Sequence, residues 1–319
     1  MQLIKATNID FIGKRKIAFT ISAILALVGI IGIVQIARNA ANMGIDFSGG
    51  TAVQLEFRQP VSIEKAREAL ARNHLKEANL QEVKEGNNLL IKIGKTTLAT
   101  GNVSDTITEV FKKEFPDNSF VVASSSEIGP SIGDKLKKDT LVAVGISMLG
   151  IVIYIAWRFD FRFGLGATIA TLHDVLAMIA VFYLMNKEIN LLFITAVLTI
   201  AGYSLTDTVV VFDRIRENLH KNLHVPIAEV FNGGINDVLS RTVITSLTTF
   251  LAAISLLLFG GEVIHDFALA LVVGIVVATY SSIFVASPIV LELELRSGKI
   301  GKKAGGDVAE RGQKFQEES

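Results

Sequence analysis

Ile189-Asn-Leu-Leu-Phe-Ile-Thr-Ala-Val-Leu-Thr-Ile-Ala-Gly-Tyr-Ser-Leu-Thr-Asp-Thr-Val-Val-Val-Phe212 decides what kind of protein this chain is. It is long enough to cross a hydrocarbon core, which takes about 20 residues of helix, and its one ionisable side chain besides tyrosine is Asp207. A carboxylate within hydrocarbon is costly, up to about 2.5–3.5 kcal/mol on insertion scales at the centre of a span, so an aspartate inside one points to function and to a partner group. Asp207 lies five residues before Phe212, a depth of roughly 8 Å at about 1.5 Å per residue. The flanking Ala201-Gly-Tyr-Ser-Leu-Thr-Asp-Thr208 is small and polar, suited to close helix contact rather than to lipid.

Five further apolar stretches accompany it, at 17–37, 140–157, 164–184, 242–261 and 267–291, so the expectation is six transmembrane helices. Half of the 319 residues are apolar and only 19% are charged, below the quarter or so of a soluble domain. Acidic and basic residues balance at 31 each, so no overall field favours nucleic acid, and the absence of cysteine removes disulfides and thiolate chemistry. The first apolar run follows Lys14, Arg15 and Lys16 as a signal peptide would, but it exceeds an h-region and lacks a small-residue cleavage site, so it reads as a retained span. Basic residues mark 1–16, Arg158 and Arg162, the stretch with Arg214, Arg216, Lys221 and Arg241, and the basic, polar tail 292–319. The positive-inside bias then places both termini in the cytoplasm.

Residues 38–138 separate the first two spans and are long enough for a small core of their own. Val53, Leu55 and Phe57 alternate with polar residues as in a strand, and Ile63, Ala66 and Leu70 recur at helical spacing over 62–75. Strands follow at 80–85 and 88–93, joined through Gly86-Asn87. A second helix starts near Asn102 and ends before Pro116, and 120–123 supply a last strand. Strand, helix, strand, strand, helix, strand is the order of a ferredoxin-like α+β domain, expected on the extracytoplasmic side. Such a fold fits a rigid spacer as well as a surface that adds an extended client strand.

Arg241, at the start of the next span, can reach toward Asp207. Proximity of a guanidinium favours the ionised carboxylate and separation the protonated one, an outline of proton coupling. The alternatives are snorkelling of Arg241 to an interface and a static helix-packing hydrogen bond at Asp207. His173 and Asp174, midway along the third span, extend a relay or satisfy one another. Gly274, Ala278, Ser281 and Ser282 in the last span suit tight helix packing. HExxH, GxSxG and P-loop patterns are absent, so the chain does not read as an enzyme, and neither a cofactor nor a metal is expected.

Gly44-Ile-Asp-Phe-Ser-Gly-Gly-Thr51, Ile128-Gly-Pro-Ser-Ile-Gly133, His173-Asp174, Gly202-Tyr-Ser-Leu-Thr-Asp-Thr-Val-Val-Val-Phe-Asp-Arg-Ile-Arg-Glu-Asn218 and Ser240-Arg-Thr-Val-Ile-Thr-Ser246 together resemble the SecF family almost end to end. The resemblance implies an auxiliary subunit of bacterial protein export, related to resistance-nodulation-division transporters, in the cytoplasmic (inner) membrane. It implies a second six-helix half, SecD, and work alongside the SecYEG translocon on translocating preproteins, driven by the proton-motive force. It carries ion coupling onto Asp207 and Arg241. Thr206 stands where the family commonly has asparagine, so sodium is kept as the alternative to the proton. Gly44, Asp46, Gly49 and Gly50 are assigned to shaping the turn into the first strand. The competing readings are one half of a small-molecule or lipid exporter and a scaffold of the translocon that transports nothing.

Overall fold

A computed structural model describes residues 7–38, 40–75, 78–83, 87–94, 103–222 and 224–297. Six helical stretches in it are long and apolar enough to cross a membrane. Helix α1 (Arg15–Ala37) is followed by a one-turn helix α2 (Ile45–Ser48), which opens the domain. The domain continues as β1 (Gly50–Phe57), α3 (Ile63–Arg72), β2 (Asn79–Val83), β3 (Asn87–Gly94), α4 (Val103–Glu114) and β4 (Phe120–Ile128). Then come α5 (Pro130–Arg158), α6 (Phe161–Leu184), α7 (Leu191–Lys221) and α8 (Ile227–Phe259). The last span is α9 (Glu262–Ser281), a π-helical turn (Ser282–Ala286) and α10 (Ser287–Ser297).

The sheet order is β2-β3-β1-β4, antiparallel throughout, which is the ferredoxin-like arrangement. Alternation in β1 turns Val53, Leu55 and Phe57 inward, where they meet Leu89, Ile91 and Ile93 of β3 and Ala66, Leu70, Ile107 and Phe111 of the two helices. Phe57, Phe111 and Phe120 close one end of this core, the first two with ring centroids 5.7 Å apart. Strand β4 runs to Ile128, past the 120–123 expected. Only Phe120 and Ile128 along it are partly covered, so no apolar alternation announces the rest. A register shift between Gln54 and Leu55 marks a bulge in its pairing with β1. Gly86 and Asn102, placed by the sequence at a turn and a helix start, lie outside the described residues, as do 1–6 and 298–319 of the two ends.

Three spanning helices extend well beyond their apolar runs. Pro130, at the first position of α5 behind an extended Gly129, starts that helix before the charged stretch Asp134 to Asp139. Helix α7 continues to Lys221, and α8 begins at Ile227, so Arg241 sits several turns inside it. Hydropathy alone cannot reveal helix that projects beyond the apolar run. Helices α6, α7 and the last span form the interior of the bundle, whereas α5 and α8 are the least covered. Close crossings rest on small residues: a Cβ at Gly29 of α1 would lie 2.2 Å from the Leu176 carbonyl oxygen of α6.

Ion pairs ring both ends of the bundle. At the end holding the start of α1, Arg158 meets Asp213 at 2.6 Å, Arg15 meets Glu292 at 3.0 Å, and Arg162 pairs with Glu294. At the domain end, Lys187 meets Asp266 at 2.9 Å and Lys92 of β3 meets Glu188 at 2.7 Å.

Candidate ion-coupling site

Asp207 lies on α7, and Asp174 faces the same helix from α6. Their side chains are 8% and 0% exposed, so each carboxylate needs protein partners. The partners are hydroxyls. Ser282 Oγ donates to Asp207 Oδ2 at 2.7 Å, and Ser281 Oγ donates to Asp174 Oδ2, also at 2.7 Å. Consecutive residues of a helix point about 100° apart, which lets one pair of serines serve two helices. Ser204 of α7 donates to the same Asp174 oxygen, and His173 Nδ1 lies 3.0 Å from the other.

The π-helical turn begins at Ser282. Widening of a helix frees carbonyls from their usual partners, and here Ser287 Oγ donates to the Ser282 carbonyl at 3.0 Å. One turn nearer the domain, a second hydroxyl set joins three helices. Tyr203 donates to Ser246 Oγ at 3.2 Å, and Thr279 Oγ1 donates to it at 2.7 Å. Tyr203, Ser246 and Thr279 precede or follow Asp207, Thr242 and Ser282 by three or four residues, so the two layers stack on the same helix faces.

The remaining residues singled out by sequence are distributed as follows. Thr242 of α8 is buried and sets its hydroxyl beside the Asp207 carboxylate. Arg241 attracts Asp207 electrostatically but is exposed, and no carboxylate among the described residues stands within 4.0 Å of it. Thr206 is also exposed, and its hydroxyl turns back to the Gly202 carbonyl at 3.1 Å rather than to Asp207. His173 is buried with Nε2 unpartnered among the described residues, its ring centroid 6.3 Å from that of Tyr280. Gly49, between α2 and β1, and Gly50, the first residue of β1, take φ of +71° and +144°, backbone that only glycine adopts readily. Asp46 reaches the membrane helices: its Oδ2 accepts from the backbone N–H of Leu191 at 2.9 Å. The sequence assigns Ser281 and Ser282 to tight helix packing and gives Ser204, Thr242 and Ser246 no individual role, because a serine that packs and a serine that donates look alike.

Residues 106–296 match the family described as "Protein export membrane protein SecD/SecF, C-terminal", and residues 40–61 match the "SecD/SecF GG Motif". The protein translocase subunit SecF of Thermodesulfovibrio yellowstonii is 50% identical over 295 residues, covering 92% of this chain and 97% of that one. The chain belongs to the SecF family. That of Calditerrivibrio nitroreducens is 41% identical, with 91% and 96% covered. The SecF-family chain also matches the protein translocase subunit SecDF of Brucella abortus, at 39% identity over 80% of its own length and 34% of that protein's. Among solved structures it is similar to the crystal structure of SecDF, a translocon-associated membrane protein from Thermus thermophilus, with a TM-score of 0.79 and 36% identity over 92% of this chain. It spans 40% of that SecDF chain. SecF-family membership makes the chain an auxiliary subunit of Sec-dependent protein export.

Proposed function

We propose that this SecF-family chain, completed by a six-helix SecD-type subunit, uses the proton-motive force to promote translocation and release of chains passing through a SecYEG channel. It lies in a bacterial cytoplasmic membrane with both termini inside, in keeping with the arginines at that rim. Asp207 takes up and releases the proton, and Arg241 supplies the cation whose distance sets its charge. His173 and Asp174 extend the relay. Thr206 lines the open side that the second subunit covers. No covalent chemistry is involved, and the coupling ion is H⁺, with Na⁺ as the alternative.

The observation that carries this reading is that two adjacent serines, Ser281 and Ser282, each donate to one of two buried carboxylates where the last span passes from α-helix into its π-helical turn. Hydroxyls both donate and accept, so each can change its hydrogen bond as its carboxylate gains or loses a proton, which apolar packing cannot do. The domain meets an extended client by strand addition at β4, whose outer edge pairs with no strand among the described residues.

Flux through vesicles holding this chain with its SecD-type partner, with pH and sodium varied separately, tests the reading. Flux that follows the pH gradient and disappears in Asp207→Asn is the expected result. Wild-type flux and export by a stably assembled Asp207→Asn complex would overturn it.

A further inference from the structure

The GG-motif aspartate is attached to the helix that carries Asp207. Asp46 sits on α2, at the root of the domain, and accepts the N–H of Leu191 at 2.9 Å. Leu191 is the first residue of α7, where backbone donors lack intrahelical acceptors and a negative charge meets the positive end of the helix. Asn190 caps the same turn from within, accepting from Phe193 N at 2.8 Å. One orphan donor is thus served by α7 itself and another by the domain.

The surrounding contacts bring the two segments against each other. Gly44 N donates to the Ile189 carbonyl at 3.0 Å, and Ile189 N donates to the Asn42 carbonyl at 2.8 Å. A Cβ on Gly44 would stand 2.7 Å from Asn190 Cβ, so the approach needs glycine. On the far side of Asp46, α2 passes through Gly49-Gly50 straight into β1, the strand paired on both sides within the sheet. On the near side, α7 runs unbroken from Leu191 to Asp207, about 24 Å at 1.5 Å per residue.

We propose that Asp46 is the positioning residue through which movement of α7 reaches the extracytoplasmic domain. The inference rests on Asp207 being the ion-coupling carboxylate. A shift or rotation of α7 set by the charge of Asp207 draws on α2 through the Asp46–Leu191 bond, and α2 turns β1 and the sheet with it. Without the acceptor, the main-chain bonds of Asn42 and Gly44 still hold the loop before α7, but the helix itself loses its hydrogen bond to α2 and can turn while the domain stays behind. A cap that only stabilises the helix would lower the amount of assembled complex and leave flux and export in their usual ratio.

The test uses the complete complex with its SecD-type partner in vesicles carrying the translocon, reading ion flux and gradient-dependent export together. Asp46→Ala removes the acceptor. Leu191→Pro removes the donor at a first helical position, where proline is well accommodated. Asp46→Asn keeps an oxygen that can accept the same N–H. Asp46→Ala and Leu191→Pro are expected to retain flux and lose gradient-dependent export, and Asp46→Asn to recover export. Asp207→Asn should lose both, which separates this inference from the one beneath it. Wild-type export by Asp46→Ala or by Leu191→Pro overturns the proposal, as does loss of flux and export in equal measure. Should Asp46→Ala fail to assemble, Leu191→Pro alone decides between these outcomes.

Discussion

Ser282 donates to Asp207 at 2.7 Å from the first residue of a π-helical turn, so the partner of the buried carboxylate stands where its own helix is least regular. Side-chain hydrogen bonds inside membrane proteins average about 0.6 kcal/mol, with a maximum near 1.7 kcal/mol. Ser282→Ala should therefore barely move the thermal midpoint of the complex while clearly slowing ion flux, and Ser282→Thr, which keeps the hydroxyl, should restore the rate. Flux at the wild-type rate in a stable Ser282→Ala complex would exclude Ser282 from the path.

Asp174 is held more tightly, between Ser204, Ser281 and His173. Removing the acceptor leaves buried donors unsatisfied, at about 1–3 kcal/mol for each group. Asp174→Ala should lower the thermal midpoint of the detergent-solubilised complex further than Asp207→Ala does. Equal midpoints would mean that these hydroxyls find other acceptors.

Much of this architecture can be read from the chain. The spans announce themselves as uncharged runs, and alternation in β1 and β3 with helical spacing in α3 and α4 gives the domain. Two kinds of feature escape such a reading. Charged extensions of α5, α7 and α8 carry no hydropathy signal, although they are continuous helix. Contacts made by tertiary placement carry none either. Ser282 finds Asp207 only because the last span packs on α7, and Asp46 caps a helix that begins far along the chain.

Lys92 and Glu188 join β3 to the loop between α6 and α7, and the Glu188 side chain is only 9% exposed. Losing one partner of a buried pair strands the other, whereas replacing both is far milder. Lys92→Met should release the domain to protease more readily than the Lys92→Met/Glu188→Gln double variant. The reverse order would show that the pair contributes nothing to docking.

Gly50 has no room for a side chain, since a Cβ there would lie 2.4 Å from the Ile93 carbonyl oxygen at a φ of +144°. Gly50→Val should break the β1–β3 pairing and leave the domain protease-sensitive, while the spanning helices still insert. A protected domain in that variant would show that the sheet can shift its register.

Arg241 and Thr206 both lie on the uncovered flank of the bundle. Left against hydrocarbon, an arginine is as unwelcome as an aspartate, at about 2.5–3.5 kcal/mol on insertion scales. In a living membrane the SecD-type half proposed above is the companion that would cover this flank. A copy left without that companion should be the one that quality-control proteases remove, so the cellular level of this chain should follow its companion's supply rather than its own rate of synthesis. Pulse-chase labelling in cells depleted of the companion should read a shortened half-life, and an unchanged one would mean that lipid alone is an adequate neighbour for Arg241.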